Sequence, residues 1–210
     1  MASRSSLLLL LLLALPAHAG PVETGKLAWD QLRAGQQPEA TKTFESLLTN
    51  NPDPLAKAGD TMARRWLTRL DREQVKAALL TAYAGKIEFP ASLAGIQPPT
   101  DRWGKPWLYE LAKPKHIPGI AKQTYRLEST ALGAGSDLAT ALKIPYSSRI
   151  TLEPVSVASG VVSFKLPGRT QPVLLSVGAS FDDVTLAAVT ATEIILTDGD
   201  HWKTFPLPAK

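Results

Sequence analysis

The chain has 210 residues, 44% of them apolar, with 23 Lys and Arg against 19 Asp and Glu and no cysteine. That leaves room for a packed core and excludes disulfides, thiol chemistry and lipidation at a cysteine. A net charge of +4 at pH 7 is too small an excess to imply a nucleic-acid partner.

The first residues set the compartment. Arg4 gives a positive start, Leu7 to Leu15 an apolar run, and Ala17-His18-Ala19 a small-x-small site. Together they read as a secretory signal cleaved after Ala19, which makes the protein periplasmic. The apolar run is shorter than the about 20 residues a spanning helix needs, so a retained anchor is the lesser alternative. The mature chain would begin at Gly20. Losing the single charge of Arg4 lowers the net charge from +4 to +3.

The next segment, residues 20–70, has helical periodicity. Leu27, Ala28 and Leu32 share one face of a first helix, with Thr24 as its N-cap. Gly35 breaks the chain. Ala40, Phe44, Leu47 and Leu48 line a second helix that stops before Asn51-Pro52. Leu27, Ala28, Gly35, Ala40, Phe44 and Pro52 fall at positions that resemble one tetratricopeptide repeat. A solenoid needs about three repeats and no second copy follows, so a plain helical hairpin is the alternative.

A third helical stretch runs from about Leu55 to Tyr83, with a break expected near Asp71. Arg64, Arg65, Arg69, Arg72 and Lys76 form a basic stripe along it. Such a stripe reads as a solvated helix face, or more sharply as contact with anionic lipid or an acidic partner.

Asp101-Arg-Trp-Gly-Lys-Pro-Trp-Leu-Tyr109 then enters a strand through a turn in which Gly104 can take positive φ and Pro106 fixes the chain. Tyr125-Arg-Leu-Glu-Ser-Thr-Ala-Leu-Gly133 is a second strand ending in a Gly-rich loop. With Tyr83 and Phe89-Pro90 before them, these residues resemble, in order, the C-terminal domain of the major pseudopilins of type II secretion systems. There an Asp-Pro-Trp-Gly-x-Pro-Tyr turn precedes a strand and a later strand ends in Ser-Leu-Gly-Ala-Asp-Gly. The resemblance covers about residues 71–135 and implies, for residues 71–145, a helix packed on an antiparallel sheet. Pseudopilins open on a basic leader and a long apolar helix. A cleavable signal and a helical hairpin stand here instead, so a filament subunit is not expected. The family's calcium loop is rich in carboxylates, whereas Ala134-Gly-Ser-Asp-Leu138 has only Asp137. Calcium takes about six to eight oxygen ligands, so no metal site is expected.

From Ile150 to the end the period becomes two, within a small β domain expected over residues 146–210. Strands are expected at Ile150–Val157, Val161–Leu166, Pro172–Val177, Val184–Thr190, Glu193–Thr197 and near Trp202–Leu207, with tight turns at Ser159-Gly160, Pro167-Gly168 and Asp198-Gly199. They make a small antiparallel sheet or barrel. Val177-Gly178, the strands after it and the closing Phe205-Pro-Leu-Pro208 resemble the periplasmic domains of inner-membrane linker proteins of type II secretion and type IV pilus assembly.

Catalytic patterns are sparse. His18 leaves with the signal, His116 lies in a proline-flanked loop and His201 beside Trp202 after a turn, none at zinc-ligand spacing. Gly-x-Ser-x-Gly is absent. Asp182-Asp183 reads as a turn pair, since neighbouring strand residues point apart. Trp103, Trp107, Tyr109 and Trp202 are the candidate interface residues, because aromatic rings bury much area with few torsions. The alternative for the Trp107 and Tyr109 pair is that it covers the helix from Asp71 to Tyr83.

The expectation is an α+β protein: a helical hairpin, a pseudopilin-like helix plus sheet, and a small all-β domain. It would act without catalysis or cofactor, as an adaptor docking secretion or pilus-assembly proteins. An unrelated tetratricopeptide-type adaptor and a periplasmic enzyme with a dispersed site are the alternatives.

Overall fold

The computed structural model describes residues 20–86, 88–112, 123–132 and 137–208. The expected signal segment, His116 and the loop after Leu132 lie outside them. The protein is α+β, with four helices among the described residues, followed or interleaved by antiparallel sheets.

Helix α1 (Pro21–Arg33) and helix α2 (Gln37–Glu45) form the hairpin, turned at Gly35 with φ +78°. The N-cap of α1 is Gly20 with Pro21 in the first turn, not Thr24. Proline fits there because the first helical N–H groups have no partner to lose. The buried face is Gly25, Ala28, Trp29 and Leu32, so Leu27 points outward. Trp29 draws the helix round, since its ring buries more area than Leu27 could.

Helix α3 (Pro54–Lys86) is continuous for 33 residues, with no break at Asp71. At about 1.5 Å per residue it spans about 50 Å and serves two cores. The boundary expected between residues 70 and 71 lies inside it. Its first half packs Met62, Ala63, Trp66, Leu67 and Leu70 against α1 and α2. Its second half packs Val75 and Leu79 against Trp107 and Leu127 of a two-stranded hairpin, β1 (Leu108–Ala112) and β2 (Thr124–Glu128). This is the helix-on-sheet arrangement the central segment implies. Leu80, expected on the same stripe, is 57% exposed. It lies about 100° round the helix from Leu79.

A short helix α4 (Leu138–Lys143) follows, capped by Asp137, whose carboxylate accepts from the Thr140 N–H at 2.9 Å. The sequence reading had no helix here. The single carboxylate after Gly133 is a helix cap, and its bonds to Thr140 hold it below the usual carboxylate range.

The remaining strands make two sheets instead of one. The first is β3 (Glu153–Ala158), β4 (Val161–Lys165) and β5 (Val173–Ser176), in that order. The second is β6 (Ser180–Phe181), β7 (Val184–Val189), β8 (Glu193–Thr197) and β9 (Trp202–Pro206), also in order. Leu186, Ile194 and Leu196 meet Val162, Phe164, Val173 and Leu175 of the first sheet. Ala187, Ile195 and Trp202 face the helices. The second sheet is therefore covered on both faces, which is why Ile194-Ile195-Leu196 is apolar without alternation. A bulge between Leu186 and Ala188 turns two small residues toward the helical layer.

Candidate docking surfaces

The Asp101 turn is held from inside. Its buried carboxylate accepts from the Trp103 and Lys105 N–H groups, each at 2.9 Å, and from the Ser129 hydroxyl at 2.7 Å. Asp101 thus ties the first strand motif to the second, a link that residue spacing alone does not reveal. The neighbouring Arg102 guanidinium grips Asp71 on α3, and its N–H donates to Thr68 Oγ1 at 3.2 Å. Gly104 closes the turn at φ +75°.

The four candidate interface residues separate. Trp107 is buried against α3, with its indole N–H donating to the Pro98 carbonyl at 2.9 Å. Trp202 is 2% exposed in the helical core. Neither offers a docking surface: each fills a core that its own layer could not close. Tyr109 is half-buried and donates its hydroxyl to the Pro90 carbonyl at 2.7 Å. Trp103 is half-buried on the turn. The packing alternative for Trp107 and Tyr109 is the observed one.

The basic stripe is not a solvated face. Arg69 and Arg72 are buried. Arg65 donates to Asp200 at 2.7 and 3.2 Å, and Arg69 at 2.8 Å through both terminal nitrogens. Trp66 adds its indole N–H to the Asp200 carbonyl at 2.9 Å. Burial alone would raise the Asp200 pKa, but bonds and charge from the two arginines hold it well below the carboxylate range. These contacts lock the Asp198–His201 turn of the second sheet onto α3. Helical periodicity located the cations but could not show that their anion lies more than a hundred residues away in sequence.

His201 sits beside this clamp. Its Nδ1 is 3.1 Å from Asp198 Oδ2, and the Trp29, Trp66 and Tyr146 rings surround it at 6.0, 6.0 and 5.0 Å between centroids. The imidazole is 1% exposed. A histidine so enclosed cannot meet a substrate without opening the core, so the Asp198–His201 pair acts as turn structure. Among the described residues no group of three or more His, Cys, Asp or Glu could hold a metal ion, and no helix is long and apolar enough to cross a membrane.

Two outward features remain. The first is the outer face of β3–β5. Register pairs Val161 with Ser176 and Ser163 with Leu174 on that face, while Val162, Phe164, Val173 and Leu175 point inward. Leu174 is 64% exposed and Val155, at the bulge in β3, 55%. Among the described residues β3 is also an edge strand, paired only with β4. The sequence signal was present as paired apolar residues, Leu174-Leu175 and Val161-Val162. It was unreadable without knowing that this sheet is covered on one face only.

The second feature is an open groove of about 810 Å³ between the start of α3 and the turns of the second sheet. Lys57 and Arg149 line it together with Asp182 and Asp183, over Thr185 and Thr197. Asp182, with φ +40°, turns β6 into β7, as expected of a turn pair. Comparison of this chain with family models, with curated proteins and with solved structures finds no match.

Proposed function

We propose that this protein is an exported, non-enzymatic adaptor of a type II secretion-like or type IV pilus-like machine, and that it works by docking. One observation carries the docking reading: Val161 and Leu174 lie exposed on the outer face of the β3–β5 sheet, with Val155 exposed at the bulge of β3. Scattered apolar residues are ordinary, but a concentration on one face marks an interaction surface. The free edge of β3 supplies unpaired backbone groups beside that face, and an extended partner segment can add to such an edge as a further strand. The assignment to secretion or pilus assembly rests on the ordered residues Tyr83, Phe89-Pro90, Asp101 to Tyr109 and Tyr125 to Gly133.

The test is capture from native periplasm and membrane fractions with wild type, Leu174→Lys and Trp103→Ala. Secretion or pilus-assembly proteins should be recovered with wild type and lost with Leu174→Lys, whose side chain is exposed and whose fold should be intact by circular dichroism. Recovery of no such protein, or equal recovery with Leu174→Lys, would overturn the reading. Loss with Trp103→Ala alone would move the interface to the aromatic turn.

A further inference from the structure

We propose that Arg72, on the side of α3 turned toward the end of β2 and the start of α4, is a binding site for a carboxylate. The site is separate from the β3–β5 face and stands or falls independently of the docking reading. Arg72 is only 5% exposed, yet among the described residues it forms no hydrogen bond and no ion pair. The other arginines of α3 are committed, Arg64 to Asp60 and both Arg65 and Arg69 to Asp200. Two acids lie near enough to act on Arg72 through space, Glu128 and Asp137. Each is used elsewhere: Glu128 accepts from Arg126 at 2.7 Å, and Asp137 caps α4 through the Thr140 N–H at 2.9 Å. Lys76, one turn along α3, pairs with Glu73.

A cation this enclosed is normally held by a hydrogen-bonded counter-charge, because leaving water without one is costly. The side chain is also placed to receive one. Its Nε is buried without a partner, whereas the two terminal nitrogens, equally unbonded, reach the surface. The buried stem fixes the guanidinium, so little rotamer freedom remains to be lost on binding. The planar fork it presents matches the two oxygens of a carboxylate. The neighbours set the charge of the ligand. Arg72 calls for an anion, while Glu128 and Asp137 repel a second negative charge. A singly charged carboxylate therefore fits better than a sulfate or phosphate dianion.

The test is an NMR titration of the mature wild-type chain. The Nε–H of Arg72 is shielded from water and should give a side-chain signal, assigned by through-bond correlation. Sodium acetate should shift that signal saturably. Sodium chloride at equal ionic strength should not, and sodium sulfate should bind more weakly than acetate. Acetate should also raise the melting temperature over chloride in wild type and not in Arg72→Gln. Absence of a saturable acetate shift, an equal shift with chloride, tighter binding of sulfate, or an equal rise in melting in Arg72→Gln would overturn the proposal. Partner capture with Arg72→Gln then separates the sources of the carboxylate. Its loss places the group on a protein partner, and its survival alongside acetate binding places it on a free carboxylic acid.

Discussion

Removing the Asp200 carboxylate tests whether the α and β layers are joined by the arginine clamp. Arg69 is 2% exposed and Arg65 23% at the side chain. In Asp200→Ala the Arg65 head can turn toward water, but the Arg69 guanidinium stays buried without this counter-charge. Breaking a buried pair by deleting one partner costs about 3–5 kcal/mol, against a total stability of about 5–15 kcal/mol for a domain. Urea unfolding followed by tryptophan fluorescence should therefore show a large fall in midpoint for Asp200→Ala. Arg69→Met should cost less, because it removes the buried charge instead of stranding it. The double variant should recover part of the Asp200→Ala loss, giving a coupling of about 1–3 kcal/mol. The pH dependence has a definite sign. The folded protein holds Asp200 below the ordinary carboxylate range, so this stabilisation is complete at neutral pH. It declines as the pH falls below about 4, where the unfolded carboxylate takes up its proton. The slope of stability against pH should flatten there in Asp200→Asn. A loss under about 1 kcal/mol for Asp200→Ala, or additive single and double variants, would refute the clamp as the joint between layers.

Three further outcomes follow from the packing. Leu79→Ala, in a fully buried position beside Trp107 and Leu127, should lose about 2–5 kcal/mol in urea unfolding, while Leu80→Ala, one residue on and exposed, should stay within about 0.5 kcal/mol. In Gly25→Ala the new Cβ would lie 2.7 Å from the Trp202 indole nitrogen and 2.8 Å from Met62 Sδ, so thermal melting should reveal a loss of about 1–3 kcal/mol despite alanine's better helix propensity. Asp101→Ala leaves the Trp103 and Lys105 N–H groups and the Ser129 hydroxyl without their acceptor, and should cost about 1–3 kcal/mol; a melt indistinguishable from wild type would mean that the turn does not hold β1 to β2.

Local chemistry settles much of this protein's architecture. Gly35, Gly104 and Asp198-Gly199 mark turns because few other residues take those backbone angles or close so tight a hairpin. The change from a helical period to a period of two located the α and β halves, since side-chain direction repeats at about 3.6 residues in one and 2.0 in the other. Periodicity is blind to what lies opposite. It placed Arg65 and Arg69 on one helix face, yet whether that face meets water or Asp200 depends on a strand turn far along the chain. It marked Trp107 and Trp202 as large apolar rings, yet whether a ring fills a core or presents a surface depends on which layer covers it. It saw apolar residues on both sides of β4, β5 and β8. Only the stacking of two sheets and a helical layer decided that Ile195 is enclosed and Leu174 is not, because burial belongs to the assembled layers and not to the strand that carries the residue.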